Sequence, residues 1–311
     1  MIAEITKNNK ALLRKVQELG KEVGNTPLVP LRNIFRKKNV QLFAKQEWKQ
    51  LSGNVKCRPA FRIIKDAILN YELDEGITLL DATSGNTGIA YAAIGQKLGI
   101  KITLCLPENA SKERKEILQS LGAEIILTSG FEGTDGAQEV ARELAAANPD
   151  KYFYADQYKN ENNWQAHYEA TAIEIYKELP GITHFVAGLG TSGTFVGTGR
   201  RLKELNPSVR LISLQPDSAL HALEGWKHMD TAVVPGIYDS QVADDNLEIS
   251  TEEAYEYLKE ILKHEGWLVS PSAAANVAGA IRVAEKLDKG IVVTVLPDNA
   301  DKYGDVIKKI L

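Results

Sequence analysis

Cysteine is scarce in this chain, and its scarcity excludes two classes of protein. Only Cys57 and Cys105 occur among 311 residues, and they form no C-x-x-C pair or Cys/His cluster. Disulfide-dependent secreted domains and structural zinc sites need more cysteine than this. The five histidines show no metal-ligand spacing either, so we predict no metal site. Both cysteines are expected to be reduced thiols in a cytoplasmic protein, with Cys57 a small packed side chain.

The chain also lacks long runs of one charge sign and long apolar runs. The 37 basic and 41 acidic residues leave a net charge of −4 with no block of one sign, so there is no basic footprint for nucleic acid. No apolar run approaches the roughly 20 residues that span a bilayer. The start of the chain, MIAEITKNNKALLRKVQEL, has the mixed pattern of an amphipathic helix and not that of a secretory signal. We therefore expect small-molecule partners and no membrane or nucleic-acid partner.

What the chain does have is a regular alternation of β-rich runs and helical patterns. Helices are predicted, for example, at FRIIKDAIL, after Gly88 and at TEEAYEYLKEILKHEG. The predicted strands are QLFAKQE, TLLDAT, KITLCLP, EIILTS, THFVAG, RLISLQP and IVVTVLP. This alternation is typical of an α/β protein with mostly parallel sheets, and the length allows two such domains.

A polar stretch near residues 155 to 165, DQYKNENNWQ, is poor in strand formers and marks the expected boundary between domains. We predict a smaller domain over 50–160 and a larger one over 161–311, joined by part of 1–49. A later segment, HALEGWKHMDTAVVPGIYDSQVADD, lacks periodicity over a length at which loops are usually functional.

Lys56 occupies an unusual position in the stretch LSGNVKCRPA. It follows a flexible Ser-Gly-Asn sequence and precedes the predicted helix FRIIKDAIL, where the helix dipole disfavours a cation. The residues alone leave two interpretations, a reactive amine close to a ligand or an ordinary solvated lysine.

Two further loops follow predicted strands, at the sheet edge where α/β proteins bind ligands. In TSGNTG, residues 83–88, hydroxyls, a carboxamide and the free N–H groups of a helix start suit a carboxylate or another small anion. The alternative is an ordinary capped turn between a strand and a helix.

The second loop, GLGTSGT at residues 188–194, satisfies G-x-G-x-x-G between a strand and a helix, which favours a bound phosphate. A nicotinamide dinucleotide site would want an acidic residue about twenty positions on, and RLISLQPD offers Gln215 first with Asp217 beyond. The hydroxyl-rich loop instead favours a monophosphate ester. Together with a nucleophilic lysine and an anion loop, it points to pyridoxal phosphate.

Several motifs in a fixed order make a resemblance specific. They are GNTPLVPL, SGNVKCR, TSGNTG, DQYKNENNWQAHY, GLGTSGT and LPDNADKY. Over nearly its whole length the chain resembles the cysteine synthases of the β-family (fold type II) pyridoxal-phosphate enzymes. The resemblance implies two three-layer α/β domains like those of the tryptophan synthase β-subunit. It also implies a homodimer.

The resemblance also implies roles for individual residues. Lys56 would form the imine with pyridoxal phosphate and act as the base, while the smaller domain binds the substrate carboxylate and the larger one the cofactor's phosphate and ring. The remaining cofactor-binding residues would be Asn86, Gly190, Thr191, Ser192, Gly193, Thr194 and Asn299. The substrate-binding residues would be Thr83, Ser84, Gly85, Asn86, Thr87 and Gln157.

The implied reaction is β-replacement. An activated serine, O-acetylserine or O-phosphoserine, loses its β-substituent to give an aminoacrylate, and sulfide adds to form L-cysteine. Alternatives are a β-lyase that releases hydrogen sulfide from cysteine, condensation of thiols to cystathionine or lanthionine, and a non-catalytic amino-acid-binding protein. A nicotinamide oxidoreductase would leave Lys56 and TSGNTG without a role.

The sequence departs from the family pattern at a few positions. Asn299 stands where a serine commonly faces the pyridine nitrogen, and a simple turn residue is the alternative there. Gln50-Leu51 and Asn54 replace residues usual around the lysine, and Ser272 lies in an altered motif. Lys227 lies in a segment where phosphoserine-using members carry a basic residue, so it is a candidate phosphate ligand or a solvated lysine.

Overall fold

The computed structural model describes residues 7–74, 76–83 and 85–311. The chain divides into two compact units. Unit 1 combines the residues up to Gly24 with Lys56–Asn162, and unit 2 combines Asn25–Val55 with Asn163–Leu311. The N-terminal part of the chain is thus divided between the units, with the second division directly before Lys56.

The strands are β1 (Leu28–Pro30), β2 (Val40–Gln46), β3 (Thr78–Ala82), β4 (Ile102–Pro107), β5 (Glu124–Thr128), β6 (Tyr152–Tyr154), β7 (His184–Gly188), β8 (Arg210–Pro216), β9 (Asp245–Ile249) and β10 (Gly290–Leu296). The helices are α1 (Lys7–Leu19), α2 (Cys57–Leu69), α3 (Asn86–Leu98), α4 (Lys112–Ser120), α5 (Gly133–Ala147), α6 (Asn162–Ala166), α7 (Ala172–Glu178), α8 (Gly193–Leu205), α9 (Thr251–Glu265), α10 (Pro271–Glu285) and α11 (Gly304–Ile310).

Unit 1 contains a parallel sheet in the order β5-β4-β3-β6. On one face, Leu80 and Cys105 pack with Ala137 and Ala141 of α5. On the other, α3 approaches so closely that a Cβ at Gly95 would lie 2.6 Å from the Ile102 side chain. Helices therefore cover both faces, and the strands read as nearly continuous apolar runs because both faces are buried.

Unit 2 contains a sheet in the order β1-β2-β10-β7-β8-β9, parallel except for the β1–β2 pair. Neighbouring residues of β10 belong to different cores, since Val292 packs in the cluster that contains α9 and α10 and Val293 in the one that contains α7 and α8. This alternation follows from the two-residue period of a strand. It gives a layer of helices on each face of the sheet.

The predicted fold class, two α/β domains with mostly parallel sheets, is confirmed. Helix α3 begins at Asn86, earlier than the predicted start after Gly88, and the antiparallel strand β1 was not predicted. The amphipathic helix predicted at the start of the chain covers Lys7–Leu19, and the part of that prediction before Lys7 lies outside the described residues. Cys57 and Cys105 are free, buried thiols. Within the described ranges, no helix is both long and apolar enough to cross a membrane.

Candidate active site

Lys56 lies directly before helix α2 in unit 1. Its backbone is already helical (φ −73°, ψ −8°), its carbonyl accepts a hydrogen bond from the Ala60 N–H at 3.0 Å, and its side chain is half-buried. The positive end of the helix dipole disfavours a charged ammonium there. The position therefore suits an amine that must be neutral to act as a nucleophile or base.

The candidate carboxylate loop, residues 83–88, connects β3 to α3. Thr83 and Thr87 are buried, and the Gly85 N–H donates to the Thr83 hydroxyl at 3.1 Å. Asn86 is the first residue of α3 and is half-buried. Ser84, predicted to bind the substrate, lies outside the described residues. The loop combines hydroxyl groups with the N–H groups of a helix start, which is an arrangement that binds anions.

Gln157, in the segment that follows β6, holds this loop by hydrogen bonds. The Thr87 hydroxyl donates to Gln157 Oε1 at 2.6 Å, and Gln157 Nε2 donates to the Ala82 carbonyl at 2.9 Å. Gln157 is only 2% exposed. The structure thus brings Gln157 together with the loop, although about seventy residues separate them in the sequence. Gln157 therefore supports the loop, and its role in substrate binding stays a prediction.

The candidate phosphate cup of unit 2, residues 188–194, lies between β7 and α8. Three of its glycines are required by their surroundings. A Cβ at Gly188 would lie 2.1 Å from the Trp226 ring, one at Gly190 would lie 1.9 Å from the Gly225 carbonyl oxygen, and one at Gly193 would lie 2.1 Å from Asn163 Oδ1. Real Cβ atoms do not approach other atoms so closely. The cup is therefore closely packed, against backbone at Gly190 and against side chains at Gly188 and Gly193.

The hydroxyl groups of the cup have distinct settings. Ser192 adopts a left-handed backbone (φ +70°), and its buried Oγ has no hydrogen-bond partner in the part of the chain that the structure describes. Thr191 Oγ1 accepts from Asn163 Nδ2 at 3.2 Å, and Thr194 Oγ1 lies 3.3 Å from Nε2 of the buried His167. A strained, non-glycine residue with an unsatisfied hydroxyl is a feature of binding sites.

These observations test whether a phosphorylated cofactor fits the chain. A phosphate ester needs several donors that converge, and the start of α8 supplies backbone N–H groups beside the Ser192 hydroxyl. The tightly packed glycines bring that backbone close to the group without intervening side chains. The residues present fit the phosphate of pyridoxal phosphate.

Asn299 lies in unit 2 directly before a short 3₁₀ turn. Its Oδ1 accepts from the Asp301 N–H at 3.4 Å, and its Nδ2 donates to Asp301 Oδ2 at 2.6 Å. This is the conformation of a turn residue, the alternative left open above, and contact with a pyridine nitrogen stays a prediction. Ser272, in the other altered motif, is buried at the start of α10 with its Oγ 3.2 Å from Ser270 Oγ.

Lys227 is held beside the phosphate cup by its backbone. Its N–H donates to the Leu189 carbonyl at 2.8 Å, and its side chain is half-buried. His228 Nδ1 lies 2.9 Å from the Thr231 hydroxyl, while burial, followed by the nearby His228, lowers the pKa of His221. Over the described ranges, no group of three potential metal-ligating side chains comes together. The backbone of Lys227 therefore lies next to the cup, and contact of its side chain with a substrate phosphate stays a prediction.

Sequence reasoning missed Asp81, a fully buried carboxyl at the end of β3. Asp81 accepts hydrogen bonds from the Ala82 N–H at 2.8 Å and the Gln157 N–H at 3.4 Å. Burial raises its pKa to about 7, and these hydrogen bonds oppose the shift only in part. The signal was present in the sequence, since one carboxylate interrupts the otherwise apolar strand TLLDA.

Comparison with known proteins assigns the family. The family model described as "Pyridoxal-phosphate dependent enzyme" matches residues 19–298. A cysteine synthase from Aquifex aeolicus is 44% identical over 299 residues, which cover 93% of this chain and 91% of that protein.

Solved structures agree with this assignment. The O-acetylserine dependent cystathionine beta-synthase from Helicobacter pylori matches with a TM-score of 0.85 and 34% identity over 92% of this chain and 96% of the other. A hydrogen sulfide-producing enzyme from Fusobacterium nucleatum matches with a TM-score of 0.86 and 33% identity over 92% and 98%.

The chain belongs to the family of pyridoxal-phosphate-dependent enzymes. Its similarity to cysteine synthases over nine-tenths of its length confirms the resemblance inferred from the ordered motifs. The predicted cofactor, pyridoxal phosphate, is confirmed with the family. The roles of the individual site residues stay predictions.

Proposed function

We propose that the chain is a cysteine synthase that joins sulfide to the β-carbon of an activated serine. One observation carries the proposal, namely that a chain of this family has two loops whose hydroxyl and N–H groups suit two different anions. The carboxylate loop with Gln157 suits an amino acid, and the cup with the buried Ser192 hydroxyl suits a phosphate ester.

The predicted site residues have different roles in this reaction. Bound pyridoxal phosphate supplies an electron-withdrawing ring that acidifies the substrate α-carbon. Lys56 would hold the cofactor through its Nζ, and the same atom would take and return the α-proton of the substrate. The other roles would follow the units. Residues 83–87 and Gln157 would bind the carboxylate in the smaller domain, whereas Gly190–Thr194 would hold the phosphate and Asn299 the ring of the cofactor in the larger one.

The test uses the purified protein with added pyridoxal phosphate, sulfide and either O-acetylserine or O-phosphoserine, with L-cysteine as the measured product. We expect a visible absorption band and cysteine formation in the parent, and loss of both in Lys56→Ala. Lys65→Ala, which changes an exposed lysine of α2, is the matched control. Cysteine formation that survives in Lys56→Ala, or a parent with neither band nor product, would refute the proposal.

Lys227 separates the two activated serines. If its ammonium meets a substrate phosphate, Lys227→Met raises the KM for O-phosphoserine and leaves that for O-acetylserine unchanged. If the parent enzyme uses only O-acetylserine, Lys227 is a packing residue of the cup and not a ligand of the substrate phosphate.

A β-lyase that releases sulfide from cysteine is the second candidate, favoured by the similarity to a hydrogen sulfide-producing enzyme. Incubation with L-cysteine alone tests it, because a synthase releases little sulfide unless a second nucleophile is present. Steady release at a rate above that of cysteine formation would make the lyase the main activity.

We also propose a cytoplasmic homodimer, the usual assembly of proteins that resemble this chain. Light scattering coupled to gel filtration is expected to give twice the mass of one chain. The mass of a single chain would refute the dimer.

A further inference from the structure

Helix α4 of unit 1 buries one of its cationic side chains and exposes another. The side chain of Lys112 is 87% exposed, whereas Arg114, two residues later, is only 6% exposed. Ser111 caps the helix by accepting the Arg114 N–H at 3.4 Å, so the first turn fixes the backbone of Arg114. Burial of a guanidinium costs free energy that its partners and surroundings must offset, so the position of Arg114 is well defined.

The buried guanidinium lies against the carboxylate loop. A Cβ at Gly85 would be 3.8 Å from Arg114 Cζ and 3.9 Å from its Nε and Nη1. Gly85 has an extended backbone (φ −161°), so a positive φ does not require glycine here. Glycine instead leaves the guanidinium next to the loop backbone with no side chain between them.

We propose that Arg114 determines the selectivity of the carboxylate loop for anionic substrates. This inference rests on the proposed function, in which the loop binds the α-carboxylate. The charge of Arg114 adds to the partial positive charge of the N–H groups at the start of α3, and it lies next to the Gly85 backbone on a side chain that is itself buried. The guanidinium raises affinity for the carboxylate through its field, while the loop makes the contact.

The experiment compares two ligands that differ in one charge. L-serine carries the α-carboxylate and has a poor leaving group, whereas L-serinamide has nearly the same shape without the negative charge. Binding of each to the cofactor-loaded protein is measured by calorimetry and by the change in the cofactor spectrum. We expect Arg114→Met to weaken the binding of L-serine about 10- to 100-fold and the binding of L-serinamide less than about twofold.

Further variants separate charge from packing. Arg114→Lys keeps the charge and should stay near the parent in its preference for L-serine, whereas Arg114→Gln keeps hydrogen bonding and should behave like Arg114→Met. Lys112→Met removes an exposed charge from the same helix and should change neither affinity. If Arg114→Met fails to fold, Arg114→Lys and Arg114→Gln are compared instead. The inference then requires that the Lys variant keeps the preference for L-serine and that the Gln variant loses it.

Equal weakening of both ligands, or of neither, would overturn the inference and leave Arg114 a packing residue. A parent that shows no cofactor band, or no binding of L-serine, would overturn the proposed function as well. The two failures are distinguishable, because the first is seen only in the variants and the second already in the parent.

Discussion

The phosphate cup of unit 2 and the carboxylate loop of unit 1 are held in different ways. In the cup, an added Cβ at Gly190 would lie 1.9 Å from the Gly225 carbonyl oxygen, so backbone packs directly on backbone. In the loop, a Cβ at Gly85 would make an ordinary contact at 3.8 Å, and one at Gly88 would meet the Thr83 side chain at 2.6 Å. Side chains hold the loop, chiefly Gln157 through hydrogen bonds.

The difference corresponds to what each element would bind. A shape made of backbone cannot adjust without moving whole segments, which suits a cofactor that stays bound through many turnovers. A loop held by side-chain hydrogen bonds can loosen and close again, which suits a substrate that arrives and leaves in each cycle. Four variants test the comparison, in order of decreasing effect on free energy.

Asp81→Asn tests whether the buried carboxylate directly before the carboxylate loop destabilises the folded state. Because the pKa of Asp81 is raised from 3.8 to about 7 in the folded state, its contribution to stability is full below about pH 4 and is lost as the pH rises through 7. At pH 8 the variant should therefore be more stable than the parent, by up to about 4 kcal/mol.

Urea unfolding of the parent and the variant between pH 5 and 8 measures this effect. The parent should lose stability over that range, and Asp81→Asn should lose less. Asp150→Asn changes an exposed carboxyl of unit 1 and should follow the parent. Identical pH dependence in all three proteins would show that Asp81 does not titrate in this range.

Gly190→Ala tests the backbone packing of the cup. The new methyl group would overlap the Gly225 carbonyl oxygen, so the two segments must separate, at a cost of about 3 kcal/mol. Titration with pyridoxal phosphate should show affinity reduced by about 100-fold or more. Gly181→Ala, where the new Cβ would lie 3.5 Å from Ile291, is the control, and an undiminished affinity in Gly190→Ala would contradict the comparison.

Lys302→Met tests whether unit 2 also depends on a buried charge. Lys302 Nζ lies 3.7 Å from the buried Asp298 Oδ2 and donates to the Gly53 carbonyl at 3.2 Å, so this charge is paired. Its removal leaves Asp298 with the Tyr303 hydroxyl at 2.8 Å and should lower the free energy of unfolding by about 2 kcal/mol. Addition of Asp298→Asn should recover part of the loss. Lys308→Met, on the surface, should change nothing.

Thr87→Val is expected to have the smallest effect. It removes the hydroxyl that donates to Gln157 Oε1 at 2.6 Å while keeping nearly the same volume, which should lower stability by about 1 kcal/mol. The KM for the amino acid should rise several-fold with little change in cofactor affinity. Thr87→Ser should restore most of the loss, and a change in cofactor affinity alone would mean that the loop serves the cofactor instead.

The elements that were predictable from the sequence carry their information locally. The strand runs, the helix after Lys56 and the strand–loop–helix position of residues 188–194 follow from periodicity and from glycine placement over ten to fifteen residues. The family resemblance also rests on local motifs, whose fixed order made it specific.

What could not be predicted depends on distant parts of the chain. Gly193 must be glycine because Asn163 packs behind it, thirty residues earlier in the sequence. Arg114 reads as one more charge in SKERKEILQSLG until its burial against Gly85 is seen. The burial of Asp81 and the division of the N-terminal segment after Gly24 likewise arise from long-range packing, which no local pattern encodes.

The strand order of the larger sheet bears on how the chain folds during synthesis. Strand β10 lies between β2 and β7 and pairs with both, yet it is made some 250 residues after β2. During synthesis, the β5-β4-β3-β6 sheet can therefore form before β10 is available to pair with β2. A nascent chain stopped before Gly290 lacks the strand that pairs with both β2 and β7, so one edge of each is open to association with other chains.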